Sequence, residues 1–229
     1  VGRTLRDILD SAARGQFPAA DGGTTIVPQH GERDAGVIAF TAHAVVFTGE
    51  DPAWVRAQLA AADSDPLAAA MHPRFLTALL DRTGRRTDTI DLLTVASPLP
   101  GPPPLPLVEI DDPAHPRVAR ALEHRDEVRV WAADGDGRDR DRDRDNGSSV
   151  GTGTGVLVLG RGVAGRWEAA VEVDPAARGR GLGVALATAA RHLAPAPVWA
   201  QQAPGNARAV RTFQAAGFRP VGAESLHVR

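Results

Sequence analysis

Residues 171–186 read VEVDPAARGRGLGVAL. A β-branched run stops at Asp174-Pro175, two arginines and three glycines follow, and an Ala/Leu/Val segment begins. Pro175 lacks a backbone donor, so it ends a strand ladder. Gly179, Gly181 and Gly183 carry no Cβ, which lets the backbone bend tightly and approach a ligand closely. The helix predicted over 181–193 starts inside this turn. Its first amides have no intrahelical partners, and its dipole favours negative charge at that end. Strand, glycine turn and helix N-terminus together make a natural pyrophosphate seat, with Arg178 and Arg180 as cationic donors beside it. The same residues also read as a plain strand-to-helix corner, because a lone glycine turn is a weak signal. Two phosphate-binding classes are excluded. A Walker A loop needs Gly-Lys-Ser/Thr, and the chain has no lysine. The dinucleotide fingerprint Gly-x-Gly-x-x-Gly opens a parallel sheet, whereas Gly179-x-Gly181-x-Gly183 follows antiparallel-looking strands.

Outward from this turn, the second half of the chain alternates strands and helices. Strands are predicted at LPLVEI (105–110), VRVWAAD (128–134), GVLVLGRG (155–162), RWEAAVEV (166–173), PVWAQQ (197–202) and about 218–222. Helices are predicted at 113–124, with Val118, Leu122 and Ala119 inward, at 181–193 and at 206–216. The order β-α-β-β-β-α-β-α-β implies an α/β (α+β) domain with a mixed, mostly antiparallel sheet flanked by helices. Residues 135–155 have almost no apolar content, and their Arg-Asp alternation cancels its own field. They read as a disordered hairpin tip rather than an arginine-rich nucleic-acid arm.

The run SPLPGPPPLP (97–106) favours a stiff extended connector and excludes a helix. It separates an N-terminal α/β region, 1–96, from the domain at 104–229. The first region reads helix (3–14), strand (24–27), one long strand or two over 36–48, two helices and a buried strand (90–96). Asp51 caps the first of that helix pair with Pro52 at its first position, and Gly84 closes the second. His43 reads as a satisfied strand histidine, with a place facing a substrate cleft as the alternative.

Composition sets further bounds. The chain has 229 residues, 43% hydrophobic and 24% charged, with formal net charge −2 and no cysteine. Disulfides, thiolate metal sites and cysteine nucleophiles are excluded. The charge balance argues against nucleic acid held by bulk electrostatics. No apolar run approaches the length of about 20 residues that a membrane span needs. VGRTLRDILDSAARGQF lacks the apolar core of a signal peptide, so a soluble cytoplasmic protein is expected.

Val173-Asp174-Pro175-Ala-Ala-Arg178-Gly179-Arg180-Gly181-Leu182-Gly183 resembles the acetyl-CoA motif of the GCN5-related N-acetyltransferases (GNAT), Arg/Gln-x-x-Gly-x-Gly/Ala after a strand ending in Val-x-Pro. Asn206-x-x-Ala209-x-x-x-Phe213-x-x-x-Gly217-Phe218 is similar to the second motif of that family, at the right separation. The resemblance covers about 104–229 and does not reach 1–100, which could be a degenerate copy of the same fold without a second cofactor turn. It implies transfer of an acetyl group from acetyl-CoA to the amine of a small molecule or peptide, with no metal. It implies that the amides of Arg178, Gly179, Arg180, Gly181, Leu182 and Gly183 hold the pyrophosphate. The backbone of Val173 pairs with the pantetheine arm, which enters where strands 166–173 and 197–202 splay apart. Asn206 contacts the cofactor or simply caps its helix. Glu172 and Glu168, on one face of the strand, are the candidate general bases. The family often has a tyrosine acid at the position of Phe213, and this chain has no tyrosine. A non-catalytic acyl-CoA-binding or sensor domain is therefore the rival reading. A substrate-covering or homodimerising role is expected of 1–96.

Overall fold

A computed structural model describes residues 2–133 and 154–229. Along the chain run α1 (Leu5–Ala13), β1 (Thr24–Val27), β2 (Ala35–Phe40), β3 (His43–Phe47), α2 (Pro52–Ala61), α3 (Pro66–Ala69), α4 (Pro73–Thr83), β4 (Ile90–Ala96), β5 (Leu107–Glu109), α5 (Pro116–His124), β6 (Asp126–Ala133), β7 (Gly155–Arg161), β8 (Trp167–Val173), α6 (Leu182–Leu193), β9 (Val198–Gln202), α7 (Ala207–Ala215) and β10 (Arg219–His227). Most strand pairs are antiparallel, and helices pack on them, as the sequence implies. Capping residues act where the sequence places them. Asp51 accepts from the Ala53 N–H at 2.7 Å ahead of Pro52. Gly84, with φ +64°, closes α4. Of the segment expected to be a disordered hairpin, 135–153 lies outside the described residues, and Gly155 already opens β7.

The chain divides into two compact units, Val1–Val95 with Gln201–Val210 and Arg219–Arg229, and Ala96–Ala200 with Arg211–Phe218. The cut after Val95 coincides with the start of the proline run, but the last strand does not stay with the second half. β10 is longer than the predicted 218–222, reaching His227, and it pairs with β2 and β4 in the first unit. Pairing on both of its edges, over five residues with β2 and six with β4, and not sequence proximity, decides where it belongs.

In the first unit the strand order is β1-β3-β2-β10-β4. The stretch 36–48 forms two strands, β2 and β3, reversing at Ala42 with φ +56°. Val37, Val46, Phe75, Leu76 and Leu79 make a core between this sheet and α2 and α4. His43 is satisfied: Nδ1 donates to the Asp21 carboxylate at 2.7 Å, and Nε2 takes the Thr25 hydroxyl at 2.9 Å. It clamps β1 to β3 at the sheet edge.

His227 is fully buried, and burial beside the Arg85 guanidinium holds it down at about 4. Its Nε2 meets Ser225 Oγ at 3.0 Å, and Nδ1 has no partner among the described residues. A histidine kept neutral in the fold must charge as acid unfolds it. Stability is therefore unaffected above about pH 6.5 and falls as pH drops toward 4. Urea unfolding at pH 7 and pH 4 should show a loss of about 3 kcal/mol attributable to this residue. His227→Gln should remove that share, and equal acid sensitivity in both proteins would exclude the assignment.

In the second unit the order is β9-β8-β7-β6-β5, with β8–β9 parallel and the other pairs antiparallel. Odd-numbered residues of β8 (Ala169, Val171, Val173) face a core built with Leu186, Ala187 and Ala190 of α6 and Phe213 of α7. On the other face, Ala170 packs with Val156, Val158 and the α5 residues Val118 and Ala121. Helix α5 starts later than predicted, at Pro116, capped by His115. Its buried stripe runs through Val118 and Ala121, so Ala119 is exposed and Leu122, one 100° step further round, is 51% exposed. The proline run is fastened rather than free. The Leu99 N–H donates to the Arg191 carbonyl at 2.8 Å, Arg191 Nε to Ser97 O at 2.9 Å, and His192 Nδ1 to Gly101 O at 3.0 Å.

Candidate functional site

After Val173 the chain makes one 3₁₀ turn, Pro175–Ala177, and reaches the glycines. Gly179 (φ +80°) and Gly181 (φ +84°) are left-handed, a region that other residues enter at a cost. A Cβ at either would meet nothing within 4 Å, so this backbone faces open space. Gly183 differs. Its φ is helical, and a Cβ there would come 3.2 Å from Thr212 Cγ2, so its small size serves the packing of α6 on α7. Ala185 donates the first helical bond, to Gly181 O at 3.0 Å. Among the described residues no acceptor is paired with the amides of Gly179, Arg180, Gly181, Leu182, Gly183 and Val184. No acidic residue occupies the first turn of α6, and Gly181 supplies no side-chain cap. An anion is the natural complement of such an end.

The Arg178 side chain does not reach outward. Its Nε donates to the Val173 carbonyl at 2.9 Å. Arg180 is exposed.

The second feature is a gap. β8 pairs with β9 only at Trp167↔Val198 and Glu168↔Trp199. From Ala169 onward that edge of β8 has no strand beside it in the second unit. Register says which groups line the edge. The Asp174 N–H donates to Thr154 O at 2.9 Å, so even-numbered residues of β8 point their backbones at β7. Antiparallel pairs alternate, so Ala169, Val171 and Val173 point N–H and C=O into the gap. An extended chain carrying amide groups can add there as a strand does. The gap ends at Val173, where the glycine turn begins.

The two candidate bases do share a face, that of α5, but their surroundings differ. Glu168 is 4% exposed. Its Oε1 accepts from Arg166 Nε at 2.8 Å and from the Val163 N–H at 3.2 Å, and Oε2 lies 3.3 Å from Arg125 Nε. Burial pushes this carboxyl up, but the Arg166 and Arg125 charges and the two hydrogen bonds outweigh it and hold the carboxyl below its ordinary range. Buried and fully engaged, it cannot collect a proton from a substrate and acts as a structural ion. Glu172 is half-exposed and pairs with Arg117 of α5.

Asn206 Oδ1 accepts from the Ala209 N–H at 3.1 Å, the cap geometry of α7. Asn206 belongs to the first unit, whereas the glycine turn lies wholly in the second. Phe213 is 6% exposed and stands edge-on to Phe218, ring centroids 4.9 Å apart. α7 presents it to the apolar face of the sheet, in one cluster with Val171 and Val173. The structure thus brings Val173, Arg178, Gly179, Arg180, Gly181, Leu182 and Gly183 into one turn, with Glu172 beside it and Phe213 behind.

Sequence reading passed over Arg117, Arg125 and Arg166, whose roles arise only from contacts. It also passed over Asp91 in the first unit, in register with Glu224 on β10. Burial, with the charges of Glu224 and Asp88, pushes Asp91 up to about 6. The only local trace was a carboxylate inside an otherwise apolar strand.

Comparison with known proteins bears on the second half. Residues 106–218 match the model of the acetyltransferase (GNAT) family. No curated protein matches the sequence. Among solved structures, a GCN5-related N-acetyltransferase from Kribbella flavida is 15% identical, with TM-score 0.41, covering 67% of this chain and 63% of its own. A GCN5-related N-acetyltransferase from Sphaerobacter thermophilus is 16% identical, with TM-score 0.37, covering 69% and 56%. A tandem GNAT protein from the clavulanic acid biosynthesis pathway is 15% identical, with TM-score 0.37, covering 67% and 57%. This chain spans less than two thirds of the length of each of the three. The family match encloses both the splayed strand and the glycine turn, and residues 106–218 form a domain of the acetyltransferase (GNAT) family.

Proposed function

We propose that the second unit moves an acetyl group from acetyl-CoA to an amine of a small molecule or peptide. One observation carries the reading. An open strand edge and an uncapped helix N-terminus free of acidic residues meet at Val173, which is the shape of an amide-bearing arm ending in a pyrophosphate. The amides of Gly179–Val184 hold the phosphates. Val171 and Val173 hold the arm through backbone groups, and Arg178 releases the Val173 carbonyl when the arm arrives. A backbone N–H at this edge stabilises the oxyanion that forms at the thioester carbon. Glu172, directly or through one water, takes the proton that the attacking amine gives up as the new C–N bond forms. The C–S bond then breaks, and solvent protonates the thiolate, because Phe213 has no proton to give. No helix among the described residues is long and apolar enough to cross a membrane. The reading places the enzyme in the cytoplasm, with the acceptor in solution.

The buried phenyl ring at 213 favours a second reading, a domain that binds acyl-CoA without turning it over. Mixing the full chain with acetyl-CoA and an amine panel, and following free thiol, separates the two. Amine-dependent, saturable thiol release is expected. Binding of CoA with no turnover on any amine selects the sensor, and absence of CoA binding removes both. Glu172→Gln should lower kcat by about 10²–10⁴-fold while leaving CoA affinity in place.

A further inference from the structure

In the free protein Glu172 already holds a cation. Arg117, at the second position of α5, extends over the sheet and places Nη1 on Glu172 Oε2. The pair is not part of the core. The Glu172 side chain is 50% exposed and that of Arg117 33%, so a solute can reach the carboxylate and the guanidinium can leave it. The pair borders a buried apolar cluster: Val156 lies opposite Glu172 on β7, Ala170 lies two residues before it on the same face, and Val118 and Ala121 of α5 pack against that face. The cation that meets Glu172 from α5 is Arg117. Glu172 also adjoins Val173, whose backbone opens on the gap between β8 and β9.

We propose that Arg117 is a stand-in for the ammonium group of the acceptor. It occupies the Glu172 carboxylate until a cationic amine takes its place. Arg117 is thus a positioning residue and not a catalytic one. This exchange rests on Glu172 being the base of the proposed reaction. No bond is made or broken in this step. One ion pair exchanges for another; the ammonium afterwards loses one proton to solvent to become the nucleophile, and its second proton goes to Glu172 as the C–N bond forms.

The exchange can be read without knowing the acceptor. The full chain, labelled with ¹³C at glutamate side-chain carboxyls, is titrated with n-butylammonium chloride against sodium chloride at equal ionic strength, with Glu172→Gln assigning the resonance. An exposed pair is worth up to about 1 kcal/mol. Arg117→Gln should therefore let n-butylammonium perturb Glu172 at concentrations about two- to fivefold lower than in the wild type. Arg117→Lys, which restores a cation, should move the response back toward the wild type. Equal response to n-butylammonium with and without Arg117, or no response in either, would overturn the inference. Failure of the underlying reading shows elsewhere: amine-dependent thiol release that survives Glu172→Gln removes the base and leaves the exchange at the carboxylate to stand or fall on the resonance.

Discussion

Replacing Glu168 with alanine should destabilise the second unit by about 3–5 kcal/mol, the cost of leaving buried charge without its counter-ion. Two arginines depend on this carboxylate. Arg166, with a side chain 2% exposed, donates Nε to it, and Arg125 approaches from the other oxygen. The Arg166 guanidinium also lies 5.3 Å from the Trp199 ring centre, so its position is shared between the ion pair and an aromatic face. The backbone has made room for the cluster. A Cβ at Gly162 would fall 2.2 Å from the Glu168 carboxyl carbon, so Gly162→Ala should cost stability through the same contact. Because the Glu168 carboxyl is held below its ordinary range, its contribution is present above about pH 4.5. That contribution is lost only as pH falls through the lowered value. Urea unfolding at pH 7 measures the effect. A loss under about 1 kcal/mol would mean that the arginines find other partners and that the cluster is not what holds the strands where they part.

Gly181→Glu should weaken CoA binding by about a hundredfold or more while the protein remains folded. The side chain has room, since a Cβ there meets nothing within 4 Å, so the effect is not steric collapse. The left-handed φ of +84° strains any residue but glycine by roughly 1 kcal/mol, which a domain of this size tolerates. The large effect is electrostatic. A carboxylate at the first position before α6 takes the open amides for itself and repels the phosphates that the helix end would bind. Gly181→Asn separates the two contributions, because asparagine tolerates the left-handed region and adds no charge. Calorimetric titration with CoA should show near-native affinity for asparagine and loss for glutamate. Equal affinity of Gly181→Glu and the wild type would remove the turn from the binding site and the proposed function with it.

Much of the fold is legible in the sequence. Most strand and helix positions from β1 to α7 follow from apolar periodicity, the short α3 excepted, and helix starts follow from Asp51-Pro52 and the glycine turn. These signals act over a few residues, where chain chemistry decides conformation. Less was legible at the site. The spacing of Glu168 and Glu172 correctly puts both on one face of β8, yet it says nothing of what covers each. The arginines that distinguish them stand on α5, at its end, or just before β8; Arg117 is 55 residues from its partner. The period puts Leu122 inward, but the stripe of α5 that meets the sheet runs through Val118 and Ala121 and leaves Leu122 exposed.

By itself the sequence determined the turn at 174–183, the start of α6 and the kinship of the second half. Each depends on residues in covalent proximity: a proline without a donor, glycines without a Cβ, a helix end without partners. Tertiary structure alone decided that β8 leaves β9 after Glu168, that Phe213 faces the core, that β10 pairs in the first unit, and that Glu172 is the accessible carboxylate. Those outcomes depend on which surfaces meet across long stretches of chain, where burial and charge pairing overrule any local preference.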